Sequence, residues 1–120
     1  MKRTPLYERH VALGARMVEF GGWEMPIQYP TGIVEEHLRT RRSAGIFDVS
    51  HMGRFQLKGR GAVPFLQKVL TNNAAALEPG RAQYTMIPTE TGGALDDAYL
   101  YCLDRELYIL VVNAANLSKD

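Results

Sequence analysis

The segment Gly92-Gly93-Ala94-Leu95-Asp96-Asp97 combines two glycines with two adjacent carboxylates. The glycines predict a sharp turn that leads into a strand, with both aspartates near the start of that strand. Side chains alternate along a strand, so the two carboxylates point to opposite faces. The predicted neighbours on the face of Asp97 are Leu95, Tyr99 and Tyr101, and those on the face of Asp96 are Ala98, Leu100 and Cys102.

A carboxylate beside aromatic rings could hold an amine of a flat heterocyclic ligand, or stabilise positive charge that develops on nitrogen. The competing interpretation is that both aspartates cap backbone groups in the turn. The spacing by itself leaves both interpretations open.

A second polar segment, Asp48-Val49-Ser50-His51-Met52-Gly53, contains the residue types of a nucleophilic triad. Neighbouring residues of one extended segment cannot converge as a triad, so we predict a structural tight turn here. The three histidines have no metal-ligand spacing and the chain has no cysteine pair, so no metal site is predicted. We interpret His10 and His37 as helix-face residues and Cys102 as a small core residue.

The 120 residues suffice for one domain or for part of a larger one. The hydrophobic share of 46% and the charged share of 22% are typical of a globular protein. A single cysteine excludes an internal disulfide, and no apolar run approaches the roughly 18 residues of a membrane span. Because the N-terminus also lacks the apolar region of a secretory signal, we expect a cytoplasmic protein.

The net charge of +1 hides an uneven distribution. Residues 1–60 carry ten Lys or Arg and six Asp or Glu, whereas residues 61–120 carry four and seven. The positive excess is centred on Arg39, Arg41 and Arg42. This cluster could hold an acidic partner or a carboxylate tail, or it could be the solvated face of one helix.

In the first half of the chain, Thr4 and Pro5 predict the start of a helix that ends at Gly14. Further elements are predicted from periodicity and from breaking residues. They are strands at 17–20 and 23–29 with an edge or bulge at Pro26, a helix from Ile33 to a terminating Gly45, and strands at 46–49 and 55–57 around a turn at Gly53.

In the second half, apolar residues at helical spacing predict an amphipathic helix over 62–70. Three strands follow, at 82–87, 95–102 and 107–112, and their short connections favour antiparallel pairing. Residues 113–120 are typical of a strand end that leads into a new helix. The fold class predicted is α+β, with helices that cover an antiparallel or mixed sheet.

The chain resembles the N-terminal part of the glycine cleavage system T protein family, the tetrahydrofolate-dependent aminomethyltransferases. Four groups of segments, in the family's order, carry the resemblance. They are Thr4-Pro5-Leu6-Tyr7 with Phe20-Gly21-Gly22-Trp23-Glu24-Met25-Pro26; Gly45-Ile46-Phe47-Asp48-Val49-Ser50-His51-Met52-Gly53; Gly92-Gly93-Ala94-Leu95-Asp96-Asp97; and Val111-Val112-Asn113-Ala114-Ala115-Asn116 with Lys119-Asp120.

The resemblance implies transfer of a methylene unit from an aminomethyl group on the lipoyl arm of the H protein to tetrahydrofolate, with release of ammonia. It implies that Asp97 is the critical acid, and that Met52, Tyr84, Val111 and Asn113 contact the folate with it. Tetrahydrofolate is the implied co-substrate, with no metal. A flat amphipathic ligand suits apolar and aromatic walls with a few polar anchors.

Members of the family are considerably longer than 120 residues. The resemblance therefore implies that residues 1–120 are an N-terminal fragment of the folate-binding domain, without the family's remaining folate contacts. One alternative function is a non-catalytic folate-binding module. Another is the folate domain of a sarcosine or dimethylglycine dehydrogenase-like protein, although no flavin-binding segment is present here.

Overall fold

The computed structural model describes residues 1–119 and divides the chain into two compact units, Met1–His51 and the part from Met52 onward. None of the described helices is long and apolar enough to cross a membrane. The α+β class predicted from the sequence is confirmed, with antiparallel and mixed sheets and few helices.

The elements of the first unit are β1 (Lys2–Arg3), α1 (Tyr7–Ala12), β2 (Arg16–Phe20), β3 (Trp23–Gln28) and α2 (Ile33–Arg42). Its strands form one sheet in the order β1-β3-β2. Strand β1 runs parallel to β3, and β2 forms an antiparallel hairpin with β3. The β2–β3 register shifts beside the pair Met17 and Pro26, as expected for a proline that cannot donate to the ladder.

The elements of the second unit are β4 (Gly53–Lys58), α3 (Ala62–Val69), a 3₁₀ helix (Ala74–Ala76), β5 (Ala82–Pro88), β6 (Ala94–Asp104) and β7 (Leu107–Val112). Its strands form an antiparallel sheet in the order β4-β7-β6-β5. The predictions of an amphipathic helix and of three antiparallel strands are confirmed here.

The core of the second unit lies on one side of its sheet. Alternate residues of β6 and β7 are buried there together with one face of α3. Leu66, Leu100 and Val112 are completely inaccessible to solvent. The members of this core are Ala62, Leu66, Leu70, Ala74, Ala98, Leu100, Cys102, Tyr108, Leu110 and Val112, which confirms Cys102 as a core residue. The opposite side of the sheet therefore carries the residues that alternate with these.

Two predicted helix boundaries and one predicted strand are wrong. The first helix begins at Tyr7 rather than at Pro5, and the Thr4 hydroxyl caps no helix N–H but donates to Asp48 Oδ2 at 2.7 Å. The second helix ends at Arg42 with Ser43 as its C-terminal cap, three residues before Gly45. The segment 46–49 forms no strand, because Asp48 turns inward to polar partners while Ile46 is fully exposed.

A further prediction at a segment end is wrong. Gly53 is the first residue of β4 rather than a turn residue, and the turn lies at 50–52. The strand end predicted near residue 113 is present, since β7 ends at Val112, and residues 114–119 form successive turns with hydrogen bonds such as Asn116 N to the Asn113 carbonyl at 3.1 Å. Asp120, the last residue of the matching segments, lies outside the described residues.

Candidate functional site on the open face of the second sheet

The predicted neighbours of Asp97 lie with it on the uncovered face of the four-stranded sheet. Asp96, Ala98, Leu100 and Cys102 are buried on the core side, whereas Tyr99 and Tyr101 are 44% and 42% exposed. The alternation of side chains predicted from the sequence is therefore confirmed for this strand. It leaves one carboxylate in the core and the other on the open face.

Strand register and one hydrogen bond relate four of the five predicted site residues. Tyr84 pairs with Tyr99, and Tyr99 pairs with Val111, so these three residues form one row. Asp97 pairs with Met86 in the next row. Asn113 follows Val112, the last residue of β7, and its side-chain amide reaches Asp97. Met52 lies in the turn just before β4, outside the paired residues.

The carboxylate of Asp97 is held by two donors from different strands. The phenol of Tyr84 donates to Oδ2 at 2.9 Å, and the side-chain amide of Asn113 donates to Oδ1 at 2.7 Å. The hydrogen bond to Asp97, together with some burial and the charges of Asp97 and Asp96, raises the pKa of Tyr84 above its usual range. Both carboxylate oxygens are therefore fixed in direction, while Asp97 itself remains only half-buried.

The surroundings of Asp97 combine aromatic, apolar and polar groups. The rings of Tyr84, Tyr99 and Tyr101 follow one another at centroid separations of 6.4 and 5.5 Å. Val111 is half-buried between these rings and Arg54, and Arg54 pairs with Val111 from β4. Sequence reasoning did not assign Arg54, although the period of two that starts at Gly53 places it on this face. Such a surface can receive a planar ligand whose N–H groups face acceptor oxygens.

Asn113 is also tied to the second aspartate. Its backbone N–H donates to Asp96 Oδ2 at 3.2 Å, and its side-chain amide lies 3.0 Å from Asp96 Oδ1. Asn116 donates to Asp96 Oδ1 at 2.9 Å. Asp96 thus accepts from a backbone N–H, as the capping interpretation expects. That N–H belongs to Asn113 at the end of β7, however, and not to the glycine turn. The spacing of Asp96 and Asn116 by itself contained nothing that pointed to this contact.

The segment around Ser50 has a structural role in the first unit. The Ser50 amide donates to Asp48 Oδ1 at 2.9 Å, which confirms the predicted tight turn. His10 lies on α1 as predicted, but it is buried and bonds to Asp48 Oδ2 at 2.9 Å and to the Tyr29 hydroxyl at 2.7 Å. Because an ionised carboxylate only accepts hydrogen bonds, His10 Nε2 carries the proton that faces Asp48.

The electrostatics of this network follow from its hydrogen bonds. Burial of the Asp48 carboxylate opposes its ionisation, but donation from His10, Thr4 and Ser50 outweighs burial and holds the pKa of Asp48 well below its usual range. Burial, with the nearby charges of Glu36 and Asp48, raises the pKa of Tyr29. The polar side chains of this network therefore hydrogen-bond to one another.

A cavity of about 510 Å³ adjoins this network in the first unit. Its walls include His10 and Asp48, and its apolar lining residues are Met25, Pro26, Ile27, Ile33, Ile46 and Phe47. The Asp48 carboxylate at this cavity accepts from three internal donors and Glu36 accepts from the Tyr29 amide, whereas Asp97 faces an open surface. We therefore assign the candidate site to the sheet face of the second unit rather than to the cavity.

The arginine cluster predicted from the sequence lies in the first unit. Arg39, Arg41 and Arg42 are exposed in the last turn of α2, as expected for a solvated helix face. Within residues 1–119, no group of three or more His, Cys, Asp or Glu side chains is arranged to hold a metal ion.

Comparison with known proteins identifies the class to which this fold and these segments belong. The family model of the GCVT N-terminal domain matches residues 6–120, so the chain belongs to this family. The resemblance to glycine cleavage T proteins stated from the sequence is thereby confirmed.

Individual relatives agree with this assignment. The chain is 59% identical over 120 residues to an aminomethyltransferase of Thermus thermophilus, covering all of this chain and 34% of that protein. It is 58% identical to the aminomethyltransferase of Bacteroides thetaiotaomicron, again over all of this chain and 33% of that protein. It thus spans about a third of the length of these curated relatives.

A solved structure shows the same fold. The crystal structure of the glycine cleavage system aminomethyltransferase T from Bartonella henselae superposes with a TM-score of 0.93 at 44% sequence identity. The superposition covers 99% of this chain and 33% of that chain.

Proposed function

We propose that this chain is the N-terminal part of the folate-binding domain of a glycine cleavage system aminomethyltransferase. The proposed reaction transfers the methylene unit from the aminomethyl-lipoyl arm of the H protein to tetrahydrofolate and releases ammonia. The partners are then lipoylated H protein and folate, and the proposed location is the cytoplasm. The family membership and the relatives named aminomethyltransferase support this function over a dehydrogenase-linked or non-catalytic folate module.

The observation that carries the proposal is the carboxylate of Asp97, oriented by Tyr84 and Asn113 on an open aromatic face. The residues present fit a tetrahydrofolate. Its flat ring system suits the exposed tyrosines, and its N–H groups suit a half-buried carboxylate with acceptor capacity left on each oxygen. Tetrahydrofolate, when bound, supplies the nitrogen atoms that accept the one-carbon unit.

The chain's own residues have distinct proposed roles. Asp97 orients the ligand nitrogens through its carboxylate oxygens, and its negative charge stabilises positive charge that develops beside it during transfer. Tyr84 and Asn113 hold that carboxylate in one orientation, so little reorganisation is needed during the reaction. Met52 and Val111 supply apolar contacts to the ligand.

The test uses the full-length protein that carries these residues, with aminomethylated H protein and tetrahydrofolate as substrates. Release of ammonia and formation of methylene-tetrahydrofolate are measured for the wild type and for Asp97→Asn. Removing one preorganised electrostatic group should lower turnover by about 10²- to 10³-fold while the fold is kept.

Asp104→Asn is the matched control, because Asp104 lies on the same strand and its Oδ1 accepts the Arg105 amide at the hairpin turn. Wild-type turnover in Asp97→Asn would overturn the assignment of the acid. A wild type that binds tetrahydrofolate but releases no ammonia would instead support the non-catalytic folate module.

A further inference from the structure

The carboxylate of Asp96 is buried on the core side of β6, where only 7% of the residue is exposed. A buried carboxylate is costly unless donors surround it. Three of the donors around Asp96 come from the segment that follows β7. They are the backbone N–H of Asn113 at 3.2 Å, the Asn113 side-chain amide at 3.0 Å and the Asn116 side-chain amide at 2.9 Å.

These contacts determine how the Asn113 side chain is oriented. Its Nδ2 lies 3.0 Å from Asp96 Oδ1, 2.7 Å from Asp97 Oδ1 and 3.2 Å from the Asp97 carbonyl oxygen. All three neighbours are acceptors, so only the NH₂ end of the amide can face them. The Oδ1 end of Asn113 is consequently turned away from both aspartates.

The segment after β7 is held against β6 by a further contact. Lys119 Nζ donates to the Leu95 carbonyl at 2.9 Å, one residue before Asp96. Asn116 and Lys119 therefore hold the turns 114–119 against the start of β6. Asp96 is the residue of β6 that contacts both Asn113 and this segment. A displacement of Asp96 would move the donor that orients Asp97.

We propose that Asp96 is a positioning residue for the reaction, which acts through Asn113 on the carboxylate of Asp97. Asp96 holds Asn113 by its backbone and by its side chain, and Asn113 Nδ2 then sets the direction of Asp97 Oδ1. Asn116 acts one step further out by holding Asp96. This inference rests on the proposed function, because it assigns Asp97 as the group that acts on the ligand.

The test is a double-mutant cycle in the full-length protein, with Asp96→Asn and Asn113→Ala made singly and together. Asparagine at position 96 keeps the shape but has only one acceptor oxygen, so its NH₂ group must face either the backbone N–H or the side-chain amide of Asn113, and one of these two contacts is lost. We expect kcat to fall by on the order of 10- to 100-fold in Asp96→Asn, with the KM for H protein unchanged. In the Asn113→Ala background, Asp96→Asn should have no further effect on kcat.

A second readout does not depend on turnover. The Kd of tetrahydrofolate, measured by calorimetry, should rise in Asp96→Asn and should not rise further when Asp96→Asn is added to Asn113→Ala. Asp104→Asn, the same substitution at the other end of β6, should leave kcat and Kd at wild-type values. Where Asp96→Asn does not fold, Asn116→Ala replaces it in the same cycle with a smaller expected decrease.

The outcomes separate this inference from the proposed function. An inactive wild type, or wild-type turnover in Asp97→Asn, contradicts the proposed function. A different outcome overturns the positioning role. In it the wild type is active and Asp97→Asn is impaired, but Asp96→Asn lowers kcat by the same factor in the wild-type background and in the Asn113→Ala background. Wild-type kcat in a folded Asp96→Asn would overturn it as well.

Discussion

The phenolic oxygen of Tyr84 lies 2.9 Å from Oδ2 of Asp97, although the two residues are not paired directly across the β5–β6 hairpin. Tyr84 pairs with Tyr99, and Asp97 pairs with Met86, so the contact is a diagonal one between neighbouring rows. A long aromatic side chain can span this diagonal. The register of one hairpin thus brings two residues from neighbouring rows close enough to form a hydrogen bond.

We predict that Asp97→Asn lowers the pKa of Tyr84 toward the ordinary tyrosine value of about 10. The carboxylate accepts the phenolic proton and so favours the neutral phenol, which raises the pKa of Tyr84. The stabilisation is present below the ordinary pKa and is lost as the pH rises through the higher pKa of the folded protein. NMR titration of ring-labelled tyrosine in the wild type and the variant measures this. An unchanged Tyr84 titration in the variant would contradict the hydrogen bond.

We predict that Asp48→Asn destabilises the first unit by about 1–3 kcal/mol at neutral pH, because an amide offers only one acceptor oxygen to the three donors that surround the buried carboxylate. The pKa of Asp48 is lower in the folded chain than in the unfolded chain. Its contribution is therefore complete above the ordinary value of about 3.9 and is lost as the pH falls below it. Thermal unfolding of the full-length protein should show a difference at pH 7 that shrinks below pH 4.

Glu8→Gln provides the control for that series, since Glu8 is an exposed carboxylate on α1. Its midpoint of unfolding should follow the wild type at every pH. A difference between wild type and Asp48→Asn that stays constant down to acid pH would contradict the depressed pKa.

We predict that Gly53→Ala destabilises the second unit by about 1–3 kcal/mol through overpacking. A Cβ at this position would lie 2.7 Å from Cγ2 of Val112, a completely buried core residue, and would overlap the side chain of Leu117. Urea unfolding of the full-length protein measures the loss. Gly61→Ala is the control, because a Cβ there meets no heavy atom within 4 Å and its φ of −81° suits alanine. Equal stability of the two variants would exclude the packing argument.

We predict that residues 1–120 by themselves bind tetrahydrofolate weakly, show no aminomethyl transfer and self-associate. Ile46 is fully exposed and Phe47 is 70% exposed in the first unit, and exposed apolar patches favour association. The relatives are about three times as long as this chain. Light scattering and calorimetry test both parts of the prediction. Tight folate binding by a monomer would show that the chain is self-sufficient.

The sequence by itself determined the elements whose pattern is local. The alternation Asp96, Asp97, Ala98, Tyr99, Leu100 assigned each side chain of β6 to a face, and the helical spacing over 62–70 identified α3, because both depend only on the geometry of one segment. The resemblance named Met52, Tyr84, Asp97, Val111 and Asn113 as site residues.

Only the tertiary structure decided which distant residues compete for the same polar group. Thr4 is a suitable helix cap in isolation, yet its hydroxyl donates to Asp48, 44 positions away, and caps no helix N–H. Asp48 is likewise withdrawn from the predicted strand at 46–49 by His10. Asn113 meets both aspartates because β7 lies beside β6, and this register depends on the packing of Leu100, Leu110 and Val112 against α3. Such long-range hydrogen bonds leave no periodic pattern in the sequence, since each depends on a single contact between separate segments.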